Sequence, residues 1–292
     1  MASLIELPEP LPLLRNPFLV MHLGGWSDAG LAGEGATGFL AARLKARPLA
    51  AFDPDELLDY RARRPVVRLT DGVIDELTWS SIELSVAETE GARDVVMLTG
   101  PEPDFRWQAF TGEVVRACRA LGVNEAFGLG GFPAPSVHTE PVQVLGSSVD
   151  PELAHRLDTV NAVVELSGGV QTVLEQRLHE SGIPTMGIWA RIPPYLAGGT
   201  HPPAALALIR TLIMLSGLEL DTGDLESAAK DHLEQVEQAI AERPQIARFV
   251  EQLRAVTEDE PTEVPTGDEI AAELERFLSQ QQPPEDEDPD FG

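Results

Sequence analysis

Between residues 18 and 218, short β-branched runs alternate with longer stretches of helical period, the pattern of an α/β sheet. Residues 18–23 (FLVMHL) form a near-continuous apolar run, as a strand covered on both faces requires. A Gly-rich loop and a helical stretch ending at Lys45 follow, then a second strand over 48–52 closed by Asp53-Pro54. The texture then changes. Residues 66–70 and 73–79 flank Asp71-Gly72, a two-residue turn that needs positive φ and so marks a hairpin, and a strand over 82–86 extends this antiparallel patch. The alternation resumes with strands over 95–99, 125–129, 160–166 and 185–190. Helices are predicted over 105–121, 169–181 and 203–216, the last entered through Pro202-Pro203, which suit a first helical turn.

Beyond Leu220 the period is purely helical. Leu225, Ala229, Leu233, Val236 and Ile240 make one apolar stripe, and after Pro244 a second follows through Ile246, Phe249, Val250, Leu253 and Val256. A linker over 258–265 leads to a third helix that opens with Thr266-x-x-Glu269, a capping box, and carries Ile270, Leu274, Phe277 and Leu278. This pattern divides the chain into an α/β domain over 1–218, a helical extension over 219–280 and a disordered acidic tail over 281–292.

Charge narrows the function. The net charge is −27, with 22 acidic and 5 basic residues in 219–292 alone, so a nucleic-acid-binding face is not expected. No apolar run is long enough to span a membrane, and residues 1–8 lack the basic start of a signal peptide, which points to a soluble cytoplasmic protein. The single cysteine, Cys118, falls in an apolar helical pattern and reads as a buried structural thiol.

Candidate chemistry is sparse. Gly33-Glu34-Gly35-Ala36-Thr37-Gly38 matches G-x-G-x-x-G by letter, but Gly24 to Gly30 separate it from the strand, so it falls inside the helix, where it serves close packing on the sheet. The six histidines form no metal-binding spacing, and no metal or cofactor is expected: His155, His179 and His232 sit on polar helix faces, and His138 and His201 in loops beside proline. The Gly-rich strand exits at Gly24-Gly25, Gly130-Gly131 and Ser167-Gly168-Gly169 offer backbone N–H groups to an anion. Trp26, Ser27 and Asp28, Arg106 and Trp107, Gly131, and Arg191 with Tyr195 are therefore the candidates for a pocket or an interface. Leu225, Leu233, Val236 and Ile240 are the candidates for an oligomer interface.

Several segments, in this order, resemble the PAC2 (proteasome assembly chaperone) family in its actinobacterial form. They are Gly25-Trp26-Ser27-Asp28-Ala29-Gly30, then Phe52-Asp53-Pro54-Asp55-Glu56 through Arg63-Arg64-Pro65, then Gly100-Pro101-Glu102-Pro103 with Arg106-Trp107. Ser181-Gly182-Ile183-Pro184 and Trp189-Ala190 followed by Ile192-Pro193 and Tyr195-Leu196 complete the set. The resemblance implies a phosphorylase/hydrolase-like, mostly parallel sheet flanked by helices, and a non-enzymatic oligomeric protein, a trimer, that binds other proteins in an assembly-chaperone role. It also leaves a second reading, a protein or enzyme that takes a nucleoside- or phosphate-type small molecule in a phosphorylase-like pocket at the strand ends. Chaperone relatives end in a hydrophobic residue, Tyr and any residue; Asp290-Phe291-Gly292 departs from that ending, so direct docking on the proteasome is not expected.

Overall fold

The computed structural model describes residues 3–25, 27–160 and 163–259. The apolar run predicted at 18–23 is strand β1 (Phe18–Gly24), at the heart of a seven-stranded sheet. Its residues 18–21 are completely buried, and alternate side chains feed two separate cores: Leu19 and Met21 one, Phe18 and Val20 the other. Helix α1 (Ala32–Leu44) follows, then β2 (Arg47–Ala51) and the short α2 (Pro54–Leu57), whose start is capped by the Asp53 carboxylate on the Asp55 N–H.

Residues 66–79 form a hairpin, as the turn signal predicts: β3 (Val66–Thr70) and β4 (Val73–Thr78) join through Asp71 and Gly72, both at positive φ. The hairpin is a separate two-stranded sheet. The next strand, β5 (Glu83–Ala87), does not extend it, contrary to the sequence reading; it inserts into the main sheet between β2 and β6 (Val95–Pro101). The reason lies in its burial: Leu84 and Val86 of β5 are fully buried, whereas every residue of β3 and β4 is exposed.

Helix α3 (Trp107–Leu121) leads to β7 (Ala126–Pro133), and β8 (Val144–Ser147) and the four-residue α4 (Pro151–Ala154) follow. Then come α5 (Val170–Glu180), β9 (Thr185–Ile192) and α6 (Pro202–Ser216). The strand expected over 160–166 is not formed at its described residues, 160 and 163–166. Its place at the edge beside β9 is taken by β8, which pairs antiparallel with it, while Val163 and Leu166 stay exposed. The sheet order is β2-β5-β6-β1-β7-β9-β8, with β6, β1, β7 and β9 parallel and the outer strands antiparallel. The fold is thus the expected mostly parallel sheet flanked by helices, α3 and α5 covering one face and α1 and α6 the other.

The C-terminal helices are α7 (Gly223–Ala241) and α8 (Pro244–Asp259). Helix α7 lies on α6: Leu225 and Ala229 join the core that also holds Leu208, Ile209 and Leu212. Val236 is buried as well, while Leu233 and Ile240 are half-buried. The α7 stripe is thus largely covered by its own chain. Helix α8 is tied back by an edge-on contact between the Phe249 and Tyr195 rings, 6.4 Å between centroids, and by a 3.3 Å hydrogen bond from Arg254 to the Thr139 hydroxyl. The helix read over 266–280, the tail over 281–292 and the terminal Asp290-Phe291-Gly292 lie outside the described residues.

Candidate functional site

The four parallel strands all end on one edge of the sheet, where ligands collect in open α/β folds. At the exit of β1 the His22 imidazole is buried. Its Nδ1 lies 3.1 Å from the Leu129 carbonyl oxygen and its Nε2 3.3 Å from the Asp28 carboxylate, so both ring nitrogens face acceptors. Asp28, nearly as buried, also accepts the backbone N–H groups of Gly33 at 2.7 Å and Glu34 at 3.1 Å. It therefore closes the first turn of α1 and holds a histidine from the strand at once. Gly33 is required at this point: a Cβ there would run into the His22 ring and come within 2.7 Å of the Leu129 carbonyl. Of the G-x-G-x-x-G letters, Gly33 thus serves the expected helix-to-sheet packing, Gly35 faces Ala205 of α6, and Gly38 lies against open space. Ser27 donates to the Gly131 carbonyl at 3.1 Å, joining the exits of β1 and β7. Trp26 lies outside the described residues.

At the exit of β6 the important side chain is one the sequence reading did not single out as a site residue. Glu102 accepts the Val170 N–H at 2.5 Å, capping α5, while its own N–H bonds the Gly24 carbonyl at 2.7 Å. Gly25 and Gly169 pass so close that Cβ atoms there would meet the Glu102 carboxylate. The crevice at Gly24-Gly25 and Gly169, whose backbone N–H groups could have served an anion, is filled by the chain's own carboxylate. Arg106 and Trp107 turn elsewhere: Arg106, at φ 58°, pairs with Glu56 of α2, and the Trp107 indole donates to the Pro103 carbonyl at 2.5 Å. The structure therefore brings Ser27 to Gly131, but it does not gather Asp28, Arg106 and Trp107 around one opening.

A cavity of ≈ 650 Å³ lies instead between the loop over 134–143, α6 and α7, and Arg191 is part of its wall. Tyr195 stands beside it: its hydroxyl accepts the His138 backbone N–H at 2.9 Å and sits 2.8 Å from the same residue's Nδ1. This pattern suits a neutral imidazole that accepts the phenol proton. Burial pushes the His138 pKa down and the Tyr195 pKa up. His201, 2% exposed, has its Nδ1 3.2 Å from Nε2 of His232, and burial together with the two neighbouring histidines brings its pKa down to about 4. His232, read from sequence as solvated, is half-buried against His201, and His138 and His201 occupy the turn and loop positions read from sequence but are buried there. Periodicity around α7 carries the missed signal: His232 directly precedes Leu233 and lies within one turn of Ala229 and Val236, on the flank of the apolar stripe.

Among the described residues no group of three or more His, Cys, Asp or Glu is arranged to hold a metal ion, and no helix is long and apolar enough to cross a membrane. Cys118 is fully buried, and burial raises its thiol pKa to about 12, so it is no nucleophile.

Residues 22–240 match the PAC2 family, which takes in the end of β1, Asp28, Glu102, the cavity and nearly all of α7. The chain belongs to the PAC2 family. A Corynebacterium glutamicum protein of unknown function is 29% identical, with a TM-score of 0.81, covering 94% of this chain and 100% of that one. A Mycobacterium tuberculosis protein of unknown function is 28% identical, with a TM-score of 0.83 over 95% of this chain and 93% of that one. A second M. tuberculosis protein, described as a proteasome-assembly chaperone homologue, is 32% identical with a TM-score of 0.73, covering 80% of this chain and 99% of that one. No curated protein matches. The first two similarities extend past the α/β part, so the PAC2 fold shared with these proteins includes much of the C-terminal helical region.

Proposed function

We propose that this PAC2 protein is a non-enzymatic, self-associating, protein-binding protein with an assembly-chaperone role. The similarity to a proteasome-assembly chaperone homologue supports the chaperone part. The observation that carries the binding part is the β3–β4 hairpin. Seven of the fifteen exposed large apolar side chains among the described residues fall in 66–79, so the apolar surface is concentrated there. Cross-strand pairing divides them: Val67 faces Leu77 and Leu69 faces Ile74 on one side, while Val66 and Val73, opposite Thr78 and Thr70, share the other side with Arg68, which forms ion pairs with Asp75 and Glu76. Leu69 and Ile74 are each 60% exposed. A lone two-stranded sheet is marginal in water, and an apolar face with two free edges is a template for another chain.

A second copy is the first occupant of this face, and the assembly is a trimer by analogy with phosphorylase-like folds. Size-exclusion chromatography with light scattering tests this. The native protein should run at about three times the 31.6 kDa chain mass, and Leu69→Asp with Ile74→Asp should lower that mass without lowering the melting temperature. A monomer mass for the native protein across micromolar concentrations refutes the self-association. An oligomer whose mass the double substitution leaves unchanged moves the interface away from the hairpin.

A further inference from the structure

The cavity beside Arg191 has a chemistry of its own. Arg191 extends from the end of β9, and its guanidinium is half-buried, held by the Pro135 carbonyl at 3.0 Å and by the Gln143 side-chain oxygen. Among the described residues no carboxylate forms an ion pair with it. That absence is unusual in a chain of net charge −27, where other partly buried arginines have acids: Arg63 pairs with Asp104 and Arg93 with Glu125. A charge withdrawn from water is ordinarily paired. Burial lowers the Arg191 pKa by more than the nearby Glu140 carboxylate raises it, the sign of a cation that its surroundings compensate only in part.

The rest of the wall fits that deficit. Two further cations, Arg210 and Lys230, stand on α6 and α7 at the same cavity, and Glu140 is the one carboxylate on its lining. Arg210 is engaged by Glu226 at 2.7 Å and Lys230 by Glu234 at 3.8 Å, both in exposed pairs that cost little to exchange. Val137, Val142, Leu206 and Leu233 supply apolar surface between these charges. The N-terminus of α6 contributes no donors from its first two residues, because Pro202 and Pro203 lack N–H groups, so an anchor here has to be a side chain. A cavity of ≈ 650 Å³ with apolar walls and a few fixed polar groups is of the size and kind that holds a small molecule.

We propose that this cavity binds a small organic anion, a carboxylate or phosphate ester with an apolar body, whose charged group pairs with Arg191 and whose body lies against Leu206 and Leu233. This site is separate from the hairpin, so it stands or falls independently of protein binding.

Calorimetric titration of the full chain with octanoate and with phenyl phosphate distinguishes the two head groups, with octanol and phenol as uncharged controls. Saturable binding of at least one anion is expected, tighter than its neutral counterpart by about tenfold, the order of one charge-assisted hydrogen-bonded contact. Arg191→Leu should remove that advantage. If Arg191→Leu does not fold, Arg210→Gln with Lys230→Gln at the rim should weaken anion binding by about threefold, as partly exposed charges do. The proposal is overturned if neither anion binds below about 1 mM. It is equally overturned if the neutral controls bind as well as the anions, or if substitution of the cations leaves binding unchanged.

Discussion

Replacing Asp28 with alanine should destabilise the protein well beyond the effect of an ordinary surface substitution, because one carboxylate serves two structural tasks. The first is the start of α1, where Asp28 accepts the N–H groups of Gly33 and Glu34. Loss of such a cap costs about 1 kcal/mol. The second is His22, whose Nε2 is 3.3 Å from Asp28 with both side chains 7% exposed. Leaving that buried ring nitrogen without its acceptor adds about 1–3 kcal/mol. The sum, about 3 kcal/mol, corresponds to a fall in melting temperature of roughly 6–12 °C for a chain of this size. Asp28→Asn keeps an oxygen for the helix start and should lose about half as much. Thermal and urea unfolding followed by circular dichroism measure both variants. The pairing is then isolated by a double-mutant cycle with His22→Phe, in which a coupling of about 1 kcal/mol or more is expected. An Asp28→Ala protein that melts with the native one, or a cycle that closes with no coupling, refutes the structural role and returns Asp28 to the candidates for chemistry.

Two further predictions concern pH. Glu175 is fully buried on α5, and burial raises its pKa from 4.5 to about 8, so the folded state keeps a proton that the unfolded chain releases. Its contribution is therefore favourable below pH 4.5 and declines as pH rises to 8, and Glu175→Gln should raise the melting temperature at pH 8 but not at pH 4.5; equal effects at both would contradict the buried-acid assignment. His201 runs the other way: its pKa falls from 6.5 to about 4 on folding, so stability is lost as pH drops through that interval. His201→Asn should flatten the acid limb of the melting profile between those values, and an unchanged slope would show that other groups govern it.

The legible part of this fold is the part decided by local pattern. Buried strands such as β1 and β9 read directly because both faces are covered, and the β3–β4 hairpin reads directly because Asp71-Gly72 supplies the two positive φ values its turn needs. What misled was pairing across distance. Residues 160–166 have strand composition, yet the edge beside β9 was already occupied by the shorter β8, and nothing in either segment encodes which of them takes it. The same holds at the sites. Glu102 meets α5 from 68 positions away, and His201 meets His232 across α6 and α7, so neither pairing leaves a spacing to recognise. Arg191 was visible as a residue beside an aromatic-rich strand exit, but that no carboxylate among the described residues forms an ion pair with it is a property only three dimensions reveal.

The amphipathic helix α7 carries the same lesson into function. A stripe of Leu225, Leu233, Val236 and Ile240 states that one face leaves water; it does not state against what. In the folded chain Leu225 joins the core around α6 and Val236 is buried, whereas Leu233 borders the cavity and Ile240 a smaller one of ≈ 330 Å³ near α8. Introducing aspartate at Val236 would therefore disturb the chain's own packing before it reported on any neighbour. The hairpin has the opposite character: the face with Val67, Leu69, Ile74 and Leu77 is open, the other holds the Arg68 ion pairs beside Val66 and Val73, and the main sheet is complete without it. A surface whose removal costs the fold little, and whose exposure costs the free protein solubility, is the one that self-association or partner binding can alter without unfolding anything. Substitutions on that face are for this reason the ones able to separate loss of association from loss of structure.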